Sequence, residues 1–190
     1  MSNLARHDEA LAEVRRAREL DPSTLITQTL ERQFLFYAGH DDEAMAGLRE
    51  TIEAEPNFWI AHNNLGRVYI RRGMFPEAIA ELERATELSS GSNEPITQLG
   101  YAFAKSGRRD QAQATLRELQ SRAIEKFVPS YSFAMIHNGL GEKEKALREL
   151  ERSCREREVQ ITFIKIDSRW DELRPDPRFQ DLMRRVGLQR

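Results

Sequence analysis

The sequence contains one cysteine, Cys154, among its 190 residues, so no disulfide can close within the chain. A lone thiol suits a reducing compartment, and a cytoplasmic location is the expectation, with a periplasmic or extracellular place in a larger membrane-anchored protein as the other reading. Long apolar runs are missing as well. None approaches the roughly 18 residues of a membrane span, and the mean hydropathy is -0.65. The opening residues, MSNLARHDEALAEVRRAREL, lack the apolar core of a signal peptide. Neither sign of charge prevails: 29 Lys and Arg stand against 31 Asp and Glu, a net of -2. That balance argues against a protein built around a basic, nucleic-acid-binding face, although local patches remain compatible with it.

Catalytic signatures are scarce too. No G-x-x-x-x-G-K-[ST] loop is present, and GLGEK at Gly139 has the wrong spacing for one. His7, His40, His62 and His137 are scattered, without the spacing of a helical metal site. His62 reads as a packing residue and Cys154 as a half-buried thiol. The carboxylates alternate with Lys and Arg at helical spacing, as in EKEKALRELERSCREREVQ, and read as a solvated face. The expectation is a non-enzyme with no catalytic residue, no cofactor and no metal.

What the sequence does contain is a period. Ala10, Ala44, Ala78, Ala112 and Ala146 are spaced by 34 residues, and so are Gly39, Gly73, Gly107 and Gly141. Leu65 and Leu99, Gly66 and Gly100, Tyr69 and Phe103, and Pro22 and Pro56 keep the same step, as does the row Val14, Leu48, Leu82, Leu116, Leu150. Such a period marks a stack of supersecondary units. The clearest copy, FWIAHNNLGRVYIRRGMFPEAIAELERATELSS, predicts a helix over Ile60 to Arg72 that Gly73 stops. Pro76 suits the first turn of a second helix, whose stripe is Ala78, Ile79, Leu82 and Ala85. Gly66 and Ala78 are small enough for the two helices to approach closely, so the unit is an antiparallel helix pair.

These residues resemble the tetratricopeptide repeat: L-G-x-x-Y, a helix-breaking glycine, an alanine five residues later and a second alanine, Ala85. The resemblance runs from about Ala5 to Glu158, with Glu31 and Arg32 in the second unit and Phe133 and Ala134 in the fifth replacing the Leu-Gly pair. It implies an all-α protein, an α-solenoid of antiparallel helix pairs in a right-handed superhelix with a C-terminal cap. The expected organisation is one structural domain over 1–190. Residues 1–24 supply the second helix of a truncated first repeat, 25–158 four helix pairs, and 159–190 the cap. Because the first pair lacks its first helix, the chain reads as a fragment of a longer protein.

Near the C-terminus, Asp176 is placed to cap a helix with Pro177 in its first turn and Phe179, Leu182, Met183 and Val186 on one face, ended by Gly187. VQITFIKID reads as a first helix of an incomplete pair or an extended segment, and Trp170 and Leu173 as anchors of the turn. The block L-R-x-D-P-R-F-x-x-L-x-x-R-x-G-L resembles the closing motif of bacterial signalling proteins in which such repeats follow a winged-helix, cyclase or kinase domain, often with a TolB-like segment between.

By the resemblance, the first helices line a concave groove that binds a protein or peptide. The candidate partner-binding residues are Gln33, Phe36 and Tyr37 in the second unit, Asn63, Arg67 and Arg71 in the third, and Thr97, Tyr101 and Lys105 in the fourth. Arg67 and Arg71 stand one turn apart outside the packing frame, which points to an acidic and apolar ligand. Thr29 occupies the place of a lysine that chaperone-binding repeats require, which disfavours a heat-shock chaperone tail. The readings set beside a scaffold are a regulatory segment of an enzyme with an upstream catalytic domain, and a nucleic-acid-binding repeat.

Overall fold

The computed structural model describes residues 7–20 and 24–188, and every regular element among them is helical. Pro22 and the first six residues lie outside the described set, as does the side chain of His7. The chain packs as two compact units, residues 1–90 and 91–190, where the sequence reading has one domain. The division falls at Ser90 and Gly91, whose φ angles of 53° and 90° are both left-handed.

The first unit contains α1 (His7–Leu20), α2 (Leu25–Ala38), α3 (Asp41–Ala54), α4 (Trp59–Arg71) and α5 (Phe75–Leu88). Its best-formed pair is α4 with α5. Gly73, at φ 72°, turns the chain out of α4. Its amide reaches the Ile70 carbonyl at 3.0 Å and the Met74 amide the Tyr69 carbonyl at 2.9 Å, which satisfies the last turn. The same two-bond cap recurs at Gly39, Gly107 and Gly141. Pro76 then sits in the first turn of α5. Ala78 and Leu82 are fully buried, and a Cβ on Gly66 would lie 2.6 Å from Leu82 Cγ and 3.3 Å from the Ala78 carbonyl. The missing side chain is therefore what admits Leu82, whose burial stabilises by about 1.5–3 kcal/mol.

The preceding pair, α2 with α3, has its small residue on the other helix. Arg32 stands where Gly66 stands 34 residues on, and the small residue is instead Gly47 on the second helix, with the Arg32 side chain lying in the space a Cβ would fill. Glu31, in place of the leucine, is buried and receives Arg18 at 2.7 Å, Arg15 at 3.2 Å and Arg32 at 3.2 Å. An apolar seam has become an ion cluster joining α1 to α2.

The second unit contains α6 (Asn93–Lys105), α7 (Arg109–Glu125), α8 (Ser130–Gly139), α9 (Lys143–Arg155), two 3-10 segments (Val159–Phe163 and Ser168–Leu173) and α10 (Pro177–Arg185). VQITFIKID thus forms neither an α-helix nor an extended strand; it enters a 3-10 turn that buries Ile161 and Ile164. Trp170 and Phe179 are fully buried and Leu173 almost so. Asp176 accepts the Arg178 amide at 2.8 Å and caps α10. Glu158 corrects the solvated reading of its stretch. It is buried, and its carboxylate takes the amides of Ser130 at 2.6 Å and Tyr131 at 3.0 Å, capping α8 from 28 residues away.

Candidate functional site

In the first unit the inward faces of α2 and α4 meet in a stack of cations on aromatic rings. Phe36 and Tyr37 pack edge to face with centroids 5.4 Å apart. The Arg71 guanidinium lies 3.7 Å from the Phe36 centroid, and that of Arg67 lies 5.2 Å from Phe36 and 5.3 Å from Tyr37. Arg67 donates to the Tyr37 hydroxyl at 2.6 Å and to Asn64 Oδ1 at 3.5 Å. Arg71 donates through Nε to Asp41 at 3.0 Å. A small recess between these groups is lined by Arg32, Gln33, Phe36, Leu48, Asn64, Arg67 and Val68.

This corrects the view of Arg67 as outside the packing frame: it is 6% exposed, and Asn63, a further candidate on the same helix, is 1% exposed. The repeat pattern shows which face of α4 a residue occupies, but not that Tyr37, 30 residues earlier, carries the hydroxyl that draws the arginine inward. Gln33, Phe36, Tyr37 and Arg71 remain half-exposed. His62 is a packing residue, with Nδ1 2.6 Å from Glu81 and Nε2 3.0 Å from the Pro56 carbonyl.

In the second unit the corresponding face of α6 is covered by the chain itself. Thr97 is buried and donates to the Asn93 carbonyl at 2.7 Å. Tyr101 is also buried, with the Arg169 guanidinium 5.5 Å from its ring centroid. Arg169 also bonds Gln98, and Asp167 grips it with contacts of 2.5 to 3.1 Å. Burial works against the Arg169 charge, but the Asp167 carboxylate outweighs it and raises the guanidinium above its ordinary range. Burial pushes the Tyr101 phenol up to about 12, with Arg169 acting in the opposite direction. Asn138 donates to the Arg169 carbonyl at 2.7 Å, and Trp170 Nε1 to the Tyr131 hydroxyl at 3.0 Å. Lys105 is exposed and pairs with Glu172 at 3.5 Å. Of the three α6 candidates, only Lys105 stands in solvent. No feature of the sequence marks Arg169 as the side chain that covers this face, 71 residues from Gln98.

Among the described residues no cluster of His, Cys, Asp and Glu could hold a metal ion, and no helix is long and apolar enough to cross a membrane. Cys154 is half-buried.

Two family models match the chain, each described as a tetratricopeptide repeat, at residues 59–92 and 97–123. A search of curated proteins by sequence finds no match. Among solved structures, a thermophilic TPR protein of Thermus thermophilus is similar at 19% identity and a TM-score of 0.66, over 97% of this chain and 90% of that one. YrrB, a TPR protein with an unusual peptide-binding site, is similar at 15% identity and 0.54, over 93% and 92%. A tetratricopeptide repeat protein from Parabacteroides merdae ATCC 43184 is similar at 11% identity and 0.55, over 97% of this chain and 68% of that one.

Proposed function

Because the chain is a tetratricopeptide-repeat protein, we propose that it is a non-catalytic interaction scaffold whose first-helix faces take a peptide segment of acidic and apolar character. The observation that carries this reading is the half-exposed stack of Phe36, Tyr37 and Arg71 on the seated Arg67. Aromatic rings and arginines held rigid before binding lose little entropy when a ligand arrives, which is why such groups dominate binding hot spots. In the first unit Gln33, Phe36, Tyr37 and Arg71 make the contacts, supported by Asn63 and Arg67; on the α6 face of the second unit Lys105 does so, beside Thr97 and Tyr101. Asp41 already accepts from Arg71, so an acidic ligand competes with an internal carboxylate and binding weakens with salt. The peptide-binding site of YrrB supports the reading at the level of the fold.

The resemblance of the C-terminal block to bacterial multidomain regulators supports a place for this module in a larger bacterial regulatory protein, as a docking segment for an effector domain. Adjoining coding sequence for a DNA-binding, cyclase or kinase domain is the check on that part.

The binding test is selection from a displayed random peptide library with the purified chain, followed by titration of the winners. Peptides enriched in acidic and apolar residues are expected. Phe36→Ala should weaken their binding by about 1–4 kcal/mol, with unchanged helicity by circular dichroism. Winners that bind Phe36→Ala and Lys105→Ala as tightly as the parent chain would place the partner surface elsewhere.

A further inference from the structure

One edge of the second unit combines protruding apolar side chains with an excess of exposed cations. Three turns form it: the one entering α6, the one between α7 and α8, and the one leaving α9. They are tied together by hydrogen bonds. Arg122 donates to the Gly91 carbonyl at 3.1 Å and Asn93 to the Phe127 carbonyl at 3.0 Å. Glu158 holds the amides of Ser130 and Tyr131. At this rigid edge stand Ile124, Phe127 and Val159, 85%, 73% and 71% exposed. Apolar groups so placed lose free energy to water and gain nothing for the fold.

Lys126, Arg155 and Arg157 flank them, all exposed. Of the neighbouring acids, Glu125 is exposed beside Lys126, while Glu118 is engaged by Arg122 at 2.8 Å, Glu156 by Arg152 at 2.8 Å, and Glu158 by the backbone of α8. Arg157 sits at φ 56°, a left-handed conformation that favours glycine. The wider charge agrees. Residues 91–190 hold 19 Lys and Arg against 15 Asp and Glu, a net of +4, while residues 1–90 hold 10 against 16, a net of -6. Salt screens charge beyond about 8–10 Å, so an anionic surface meets the local edge rather than the total of the chain.

We propose that this edge is a peripheral contact for an anionic lipid surface. Ile124, Phe127 and Val159 enter the boundary between headgroups and acyl chains, and Lys126, Arg155 and Arg157 meet the lipid phosphates. Side chains that project need a hollow in a protein partner, whereas a lipid interface is fluid and accommodates them without one. Three apolar side chains and three cations support reversible, salt-sensitive adsorption, not stable insertion.

The test is co-sedimentation of the full chain with vesicles of phosphatidylcholine alone and of phosphatidylcholine mixed with phosphatidylserine. Binding to the mixed vesicles at low salt, its decline at high salt and its absence on phosphatidylcholine are expected. Phe127→Ser with Val159→Ser should lower the partition coefficient at least about tenfold, with helicity and thermal midpoint retained because both side chains are exposed. Lys126→Gln with Arg157→Gln should remove the dependence on phosphatidylserine. No binding to the mixed vesicles, or binding that the Phe127 and Val159 substitutions leave unchanged, overturns the proposal. So does binding of a soluble acidic polypeptide to the same edge when vesicles are ignored, which identifies a protein site instead.

Discussion

Arg32 stands where Gly66 stands one repeat later and lies over Gly47, which stands where Glu81 does, so neither Gly47 nor Arg32 has an independent effect on stability. Adding a methyl group at Gly47 in the native chain drives into the Arg32 side chain and disturbs its pairing with Glu31. In an Arg32→Gly background the same methyl group fills empty space and removes a helical glycine, a gain of about 0.5–1 kcal/mol. Gly47→Ala is therefore expected to destabilise the native chain and stabilise the Arg32→Gly chain. Urea midpoints of the four proteins measure the reversal, and one sign in both backgrounds contradicts the seating of Arg32 over α3. Tyr101 offers a second residue-scale test. Its phenol is pushed from 10.0 to about 12 by burial, so the unfolded chain releases this proton first. The contribution is fully present below pH 10 and is lost as pH rises through 10 to 12. Between about pH 9 and about pH 11, the loss of stability should be smaller in Tyr101→Phe than in the native chain. Equal losses would mean that the ring is solvated.

Among the elements, α10 shows how a short helix holds a place by its ends and one face. Nine residues are too few for a stable isolated helix, yet α10 (Pro177–Arg185) carries an Asp176 cap, a proline in its first turn and a cap at Gly187 whose amide reaches the Arg184 carbonyl at 3.0 Å. Its buried face sets Phe179 against Trp170, with centroids 6.5 Å apart. Asp176→Ala is expected to cost about 1 kcal/mol and Phe179→Ala about 3–5 kcal/mol, both read from denaturant melts. Deleting 176–190 should uncover Trp170 and Leu173 and cause aggregation in a sedimentation run. A soluble truncation with native stability would make α10 an appendage.

Across the whole molecule, stability should be uneven, because burial is uneven. Every residue from 61 to 70 in α4 is buried, whereas α1 buries Ala10, Leu11 and Val14 and leaves Leu20 89% exposed. Opening an element costs what its buried contacts contribute. Amide exchange in the first unit should therefore be fastest in α1 and slowest in α4 and α5, measured by mass spectrometry of peptides from each. Uniform protection would mean that the unit opens only as a whole.

The 34-residue period was enough to define the helices, their glycine caps and the buried alanine row. Those features depend on local backbone preference and on side-chain size at a repeating contact, and both are written in consecutive residues. The Asp176 cap was legible for the same reason, since cap and amide are two residues apart. The candidate face was legible only as a set of positions. Which of its members face solvent was decided by partners far along the chain: Tyr37 draws Arg67 inward from 30 residues away, and Arg169 covers Tyr101 from 68 residues away. Glu158 at the start of α8 and Arg32 over Gly47 belong to the same class. A charged side chain has the same composition and spacing whether it is solvated or buried against a partner. Only the tertiary structure brings the partner within hydrogen-bond reach, and that proximity decides whether the charge belongs to the surface or to the core.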